Sequence, residues 1–168
     1  MGDFETYVTK DYLVFCAGHF ITYGDNQCET LHGHNYRVAV RLGGTVDENQ
    51  YVFDFVTLKR IMKRLVDELD HRMLLPLHNP LITLEEQPEG LWVHVQGSTR
   101  RRYFFPHADV TLLPIPNTTA EMLARYLCER LKDELRAGEY RLSHLTEMAV
   151  EVEETFGQSG IYREEIAL

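Results

Sequence analysis

The stretch CETLHGHNY, Cys28 to Tyr36, puts a thiol, a carboxylate and two imidazoles into nine consecutive positions. In an extended chain, side chains alternate between faces, so His32 and His34 project from the same one. That face continues through Tyr36, Val38, Val40 and Leu42, while Asn35, Arg37, Ala39 and Arg41 share the other. His19 ends a similar stripe of Leu13, Phe15 and Ala17 on the preceding segment. Three neutral imidazoles meeting at the end of a sheet make a zinc triad. Its fourth position is left for water or substrate, the mark of a catalytic metal. HxH pairs also serve hydrolases and cupins, and a lone histidine ending an apolar stripe is also an ordinary core residue.

Cys28 lies four residues before His32. Beside a dication its thiol pKa should fall, giving a thiolate that can act as base or nucleophile. The other reading of a cysteine, buried and inert, suits Cys16, on the face opposite His19, and Cys128, within a helical pattern. In LDHRML, Asp70 beside His71 could be a proton relay, the carboxylate orienting the imidazole and favouring its charged form. That needs the preceding helix to have ended, because adjacent side chains on a helix do not face each other. A dipole-compensating helix terminus is the competing explanation. In VEETF, Glu151 and Glu153 lie on a polar face, whereas Glu154 falls on the apolar one between Val152 and Phe156. A carboxylate there needs a partner, such as a ligand presenting two N–H groups, unless the strand has frayed and the group is wet.

Alternation from Tyr12 to His19 and from His32 to Leu42 predicts two strands, and Gly43-Gly44 ends the second. Gly24, Asp25 and Asn26 read as a loop between them. A short strand is expected at Tyr51–Phe53, followed by Asp54 as N-cap of a helix with Phe55, Leu58, Ile61, Met62, Leu65 and Leu69 at helical spacing. Residues 76–116 carry the prolines and are less regular, with LWVHVQGSTRRRYFF as a hairpin turning at Gly97 and Ser98. Thr118 and Glu121 have capping-box spacing for a second helix that runs to about Arg136 and stops at Gly138. A last strand is expected from Thr146 to Phe156. The order strand, strand, strand, helix, hairpin, helix, strand predicts an α+β fold, with helices on one side of a mostly antiparallel sheet.

A chain of 168 residues, 44% apolar and 26% charged, suits one domain with a real core. The formal charge of −9 argues against a nucleic-acid partner, and Arg100–Arg102 reads as a solvated hairpin tip. No run of about 18 apolar residues suggests a membrane span, and no apolar segment near Met1 suggests a signal peptide. Three cysteines match no disulfide framework, which favours a reducing cytoplasm.

In combination, FCAGH (15–19), CETLHGHNYRVAV (28–40), VFDFVTLK (52–59), LDHRML (69–74), NTTAEMLA (117–124) and VEETFGQSGIYRE (152–164) resemble the 6-pyruvoyl-tetrahydropterin synthase and 6-carboxy-tetrahydropterin synthase family. The segments follow the family's order across most of the chain. The resemblance implies a T-fold (tunnelling fold): a four-stranded antiparallel sheet with two helices on one side, here over residues 1–168. Residues 76–116 would be an inserted segment, with its hairpin, that compact bacterial members lack. It implies homo-oligomers, trimers or hexamers, with active sites between subunits. It also implies that His19, His32 and His34 bind Zn2+, that Cys28, Asp70 and His71 move protons, and that Glu154 anchors a pterin with Thr119 at the same pocket. Two motif positions depart from the family pattern: its usual serine is Cys16, and its NPT reads Asn117-Thr118-Thr119.

The implied substrate is 7,8-dihydroneopterin triphosphate, and the lead expectation is a zinc-dependent lyase forming 6-carboxy-5,6,7,8-tetrahydropterin for a queuosine-type pathway, or 6-pyruvoyl-tetrahydropterin by loss of triphosphate. Those branches resemble this chain in having Cys28 four before the first histidine of HGH; a folate-type branch has a glutamate three before it and releases 6-hydroxymethyl-7,8-dihydropterin. Both Cys28 and Glu29 are present here, in a CExxHGH pattern. A non-catalytic pterin-binding module and a metal-dependent hydrolase are the other readings.

Overall fold

The structure, a computed structural model, describes residues 3–97 and 100–166. Ser98 of the expected hairpin turn lies outside the described residues. Strand β1 (Phe4–His19) begins well before the alternation at Tyr12, and the two-residue strands β2 (Thr22–Tyr23) and β3 (Gln27–Cys28) pair with each other before β4 (His32–Gly44). β1 and β4 are antiparallel from Phe4↔Gly44 to His19↔His32, with an irregularity between Thr9 and Val14. The expected stripes hold: Leu13, Phe15, Ala17 and His19 are buried on β1, and Tyr36, Val38, Val40 and Leu42 on β4.

Helix α1 (Phe55–Asp67) starts at its expected cap, Asp54, whose carboxylate accepts the Val56 and Thr57 N–H groups. Tyr51–Phe53 forms no strand. Asp47 folds residues 47–51 into a turn, and the buried Val52 gives its carbonyl to the His144 ring instead of to a ladder. After the helix come β5 (Arg72–Pro76), β6 (Ile82–Gln87), β7 (Gly90–Val95), β8 (Arg101–Pro106) and β9 (Val110–Leu113). β7 and β8 are the expected hairpin, and β6 makes it a three-stranded antiparallel sheet. Helix α2 (Ala120–Ala137), β10 (Leu145–Thr155) and β11 (Gln158–Glu165) complete the order.

The main sheet runs β11-β10-β4-β1-β5-β9. Its first four strands are the antiparallel set expected of a T-fold; β5 and β9 extend it in parallel. Leu58, Ile61, Met62 and Leu65 of α1 and Leu123, Leu127 and Leu131 of α2 close one face with the β1, β4 and β10 stripes. Each such side chain, fully buried, contributes roughly 1.5–3 kcal/mol. A second, smaller core lies beneath the three-stranded sheet, where Phe20, Cys28, Met73 and Leu75 meet Ile82, Leu91, Val93 and Val95.

Four details differ from expectation. Thr119, not Thr118, caps α2, its hydroxyl accepting the Met122 N–H, while the buried Thr118 hydroxyl donates to the Phe20 carbonyl. Cys16 is exposed, not buried, and lines a shallow pocket with His71 and Asp109. Phe156 lies beyond the end of β10 in the β10–β11 turn and is 96% exposed. Arg101 points inward with Tyr103 and Phe105, so only its neighbours Arg100 and Arg102 behave as a solvated tip. Among the described residues, no helix is long and apolar enough to cross a membrane.

Candidate metal centre

The register of β1 and β4 builds the histidine cluster. His19, last in β1, lies directly opposite His32, first in β4, and His34 follows on the same face. Gly33 permits the pairing, since a Cβ there would lie 2.9 Å from the Ala17 carbonyl oxygen. One ring nitrogen from each of His19, His32 and His34 lies within 4.8 Å of the others. His19 is buried, His34 partly so, and His32 is exposed, so the cluster opens at one end.

Hydrogen bonds on the far side of the rings fix which nitrogens face inward. His19 Nδ1 donates to the Thr118 carbonyl at 2.9 Å, and His32 Nδ1 donates to the Thr30 carbonyl at 2.8 Å. A carbonyl only accepts, so in the neutral rings both Nε2 atoms carry lone pairs, and these stand 3.2 Å apart. His34 Nε2 is buried and makes no hydrogen bond. Lone pairs facing each other across that gap repel unless a cation lies between them. Ligands about 2.0–2.1 Å from a tetrahedral zinc would be roughly 3.4 Å apart, close to the 3.2 Å between His19 and His32. Burial holds the His19 pKa below its ordinary value, although the Thr118 carbonyl acts in the other direction, so the ring stays neutral as a ligand must. These three side chains can hold a metal ion.

Glu154 lies against this cluster. Its Oε1 is 3.3 Å from His19 Nε2 and 3.5 Å from His34 Nε2. The strand has not frayed at this residue, and the carboxylate faces the same ring nitrogens that would face a bound cation. Beneath them Tyr36 is fully buried and stacked on Phe15 with ring centroids 4.7 Å apart. Burial first, then the Glu154 charge, drives its phenol pKa far up, so it stays neutral. Thr119 and Glu154 line one pocket of about 330 Å³ together with Glu121 and Gly160.

Asp70 and His71 are held by the backbone of β1. Asp70 Oδ1 accepts the Cys16 N–H at 2.7 Å, and the His71 N–H donates to the Cys16 carbonyl at 2.7 Å. The second Asp70 oxygen is 2.9 Å from His71 Nδ1. The helix has ended by then, and His71 turns the chain at φ 56°, a left-handed conformation that few residues other than glycine adopt. Burial pushes the Asp70 carboxyl up, but the Cys16 N–H and His71 together hold it below the usual carboxylate range. His71 is 82% exposed and lines a shallow pocket with Cys16, His32 and Arg72.

Cys28 and Glu29 point differently. Cys28 is buried in the smaller core and its thiol donates to the Glu29 carbonyl at 3.4 Å. Burial pushes its pKa up, with Arg101 pulling it partly back. Glu29 reaches toward the cluster, its Oε2 3.9 Å from His32 Nε2. Sequence reasoning missed Thr118 and Thr30, whose carbonyls orient the rings, because a backbone acceptor leaves no residue-type signal. It also missed Asn117, whose amide donates to the Thr22 carbonyl and accepts the Thr22 N–H.

A family model described as 6-pyruvoyl tetrahydropterin synthase matches residues 7–165. The chain is 36% identical over 152 residues to a protein of Methanocaldococcus jannaschii named "Putative 6-carboxy-5,6,7,8-tetrahydropterin synthase", with 90% of each chain covered. It is 30% identical over 141 residues to the 6-carboxy-5,6,7,8-tetrahydropterin synthase of Aquifex aeolicus, covering 83% of this chain and 78% of that one. Among solved structures, the 6-pyruvoyl tetrahydropterin synthase of Plasmodium vivax matches with a TM-score of 0.90 and 28% identity, over 99% of this chain and 100% of that one. Two more structures of the Plasmodium enzyme carry alanine or cysteine in place of a glutamate described as catalytic.

Proposed function

The chain belongs to the 6-pyruvoyl tetrahydropterin synthase family, and from that premise we propose that it is a zinc-dependent lyase converting 7,8-dihydroneopterin triphosphate into 6-carboxy-5,6,7,8-tetrahydropterin. The observation that carries this reading is the convergence of the His19, His32 and His34 ring nitrogens, with Glu154 against two of them, in a chain matched over residues 7–165. His19, His32 and His34 would hold the zinc, which when bound polarises the substrate's hydroxylated side chain and eases loss of the adjacent protons.

The chain's own groups divide the remaining work. Glu154 anchors the guanidinium-like edge of the pterin, with Thr119 on the wall of the same pocket. Cys28 takes a proton from carbon, and Asp70, by orienting His71, moves another. The outward placement of His71 supports a site completed between subunits of a trimer or hexamer, since an exposed relay needs a second surface to exclude water. Residues 1–168 act as one unit in the cytoplasm, the three-stranded addition included, and the product suits a queuosine-type pathway.

A second reading has its own support. Glu29 points at His32 while Cys28 is buried with a raised pKa. In this reading Glu29 is the base, the side chain is cleaved as in the folate branch, and 6-hydroxymethyl-7,8-dihydropterin is released. Mass spectrometry of the product from zinc-loaded protein and 7,8-dihydroneopterin triphosphate decides. A 6-carboxy product is expected; a 6-hydroxymethyl product would transfer the base to Glu29, and a 6-pyruvoyl product would leave Cys28 in place with a different outcome. Binding without turnover would leave only a pterin-binding module.

A further inference from the structure

We propose that Arg101, contributed by the three-stranded sheet, binds the phosphate tail of the substrate; this rests on the pterin-triphosphate reading above. Arg101 starts β8 on its inward side, with Tyr103 and Phe105, over the core that contains Phe20 and Cys28. One guanidinium nitrogen donates to Thr30 Oγ1 at 3.2 Å, and its Nε is buried with no hydrogen-bond partner. Arg37, Arg41, Arg64, Arg125, Arg130, Arg141 and Arg163 each have a carboxylate within ion-pair distance. Among the described residues Arg60, Arg72, Arg100, Arg102, Arg136 and Arg101 form no ion pair, and of these only Arg101 is not exposed, in a chain with a formal charge of −9. A half-buried guanidinium left without a carboxylate in so acidic a protein is placed for an anion that arrives from outside.

Its position selects the anion. Thr30, which Arg101 holds by the hydroxyl, also gives its carbonyl to His32 Nδ1, so the guanidinium is linked through one residue to the metal cluster. Its charge is felt at Cys28. With His94, Gln96, Gly97, Arg100 and Arg102 it lines a pocket of about 390 Å³. A guanidinium has five donors in a fixed fork that matches phosphate oxygens, and among the described residues only Thr30 takes one of them. A triphosphate attached to a side chain held at the histidines would reach this fork. As the leaving group it gains charge as its bond to carbon breaks, so the arginine would stabilise departure as well as binding. The three-stranded sheet thus brings a positive charge toward the cluster in a chain whose formal charge is −9.

The test compares wild-type protein with Arg101→Gln and Arg101→Lys, all zinc-loaded and checked for metal content. Inorganic tripolyphosphate should compete with 7,8-dihydroneopterin triphosphate. Arg101→Gln should raise its inhibition constant and the substrate KM about tenfold or more, with Arg101→Lys between. Affinity for phosphate-free 7,8-dihydroneopterin should not change. Equal tripolyphosphate affinity in wild type and Arg101→Gln, or an equal loss for the phosphate-free pterin, would overturn the proposal. If Arg101→Gln fails to fold, hydrogen exchange on the wild-type protein takes its place. Tripolyphosphate should protect residues 28–31 and 100–103, and protection elsewhere alone would refute the site. Arg101-dependent tripolyphosphate binding without pterin turnover would sink the lyase reading and keep the anion site; normal turnover with unchanged constants in Arg101→Gln would do the opposite.

Discussion

The histidine cluster and the Asp70–His71 pair both hang from the end of β1, yet they are built in opposite ways. The cluster comes from the inward face: His19 is buried, and two of the three rings are locked by backbone carbonyls from separate segments. The pair is held through the backbone of Cys16, and its imidazole projects outward. A metal ligand must present one fixed lone pair, so over-determination serves it. A proton relay must exchange with its surroundings, and an exposed ring on an ordered carboxylate can do so. One strand end therefore carries a tightly held imidazole cluster on its side-chain face and an outward-facing carboxylate–imidazole pair on its backbone edge, as the proposed metal and relay roles would each require.

The largest effect should come from His34→Ala. It removes a ligand outright, so metal affinity should fall by more than the roughly 10–100-fold that loss of an outer-shell partner costs. His71→Ala should leave metal content unchanged by elemental analysis; a metal-poor His71→Ala protein would mean the two regions are one. Next comes Asp70→Asn, expected to lower turnover by about 10²–10⁴-fold with metal retained. Metal loss there would again end the separation.

The same substitution has a pH signature. The folded-state pKa of Asp70 lies below its unfolded value, so its contribution to stability is complete above about pH 4 and is lost as pH falls through the depressed value. Thermal melts of Asp70→Asn should lose that part of the acid dependence, and an unchanged acid limb would show that Asp70 does not contribute to it. The smallest effect is expected from Thr119→Ala, which removes the α2 cap for about 1 kcal/mol of stability by denaturant titration. Metal content should stay at the wild-type level, because the ring of His19 is held by the carbonyl of Thr118 and not by this hydroxyl.

Legibility in the sequence followed side-chain periodicity. The β1 and β4 stripes, both helices and the histidine triad are readable because their inward residues are apolar, or histidine, at the right spacing. β5 and β9 are not: Met73, Leu74 and Leu75, like Leu112 and Leu113, are short apolar runs beside prolines with no alternation to count. β11 hides for a different reason. Only Gly160 on it is fully buried, at a point where any Cβ would meet the α2 backbone at Glu121, so close approach replaces an apolar stripe. The direction of Cys28 was illegible too, since its apolar surroundings come from strands that lie more than forty residues further along the chain.

Strand order also sets a timetable for synthesis. β4 ends at Gly44, but the strand that covers its outer edge, β10, begins at Leu145. At a ribosomal rate of about 5–20 residues per second, the roughly hundred residues between them take on the order of 5–20 s to appear. During that interval the nascent chain can already bring His19 to His32, while the β4 edge stays open to any other strand it meets. Glu154 arrives last, with the strand that seals the edge. The same event that ends the risk of misassociation delivers the carboxylate to the histidines.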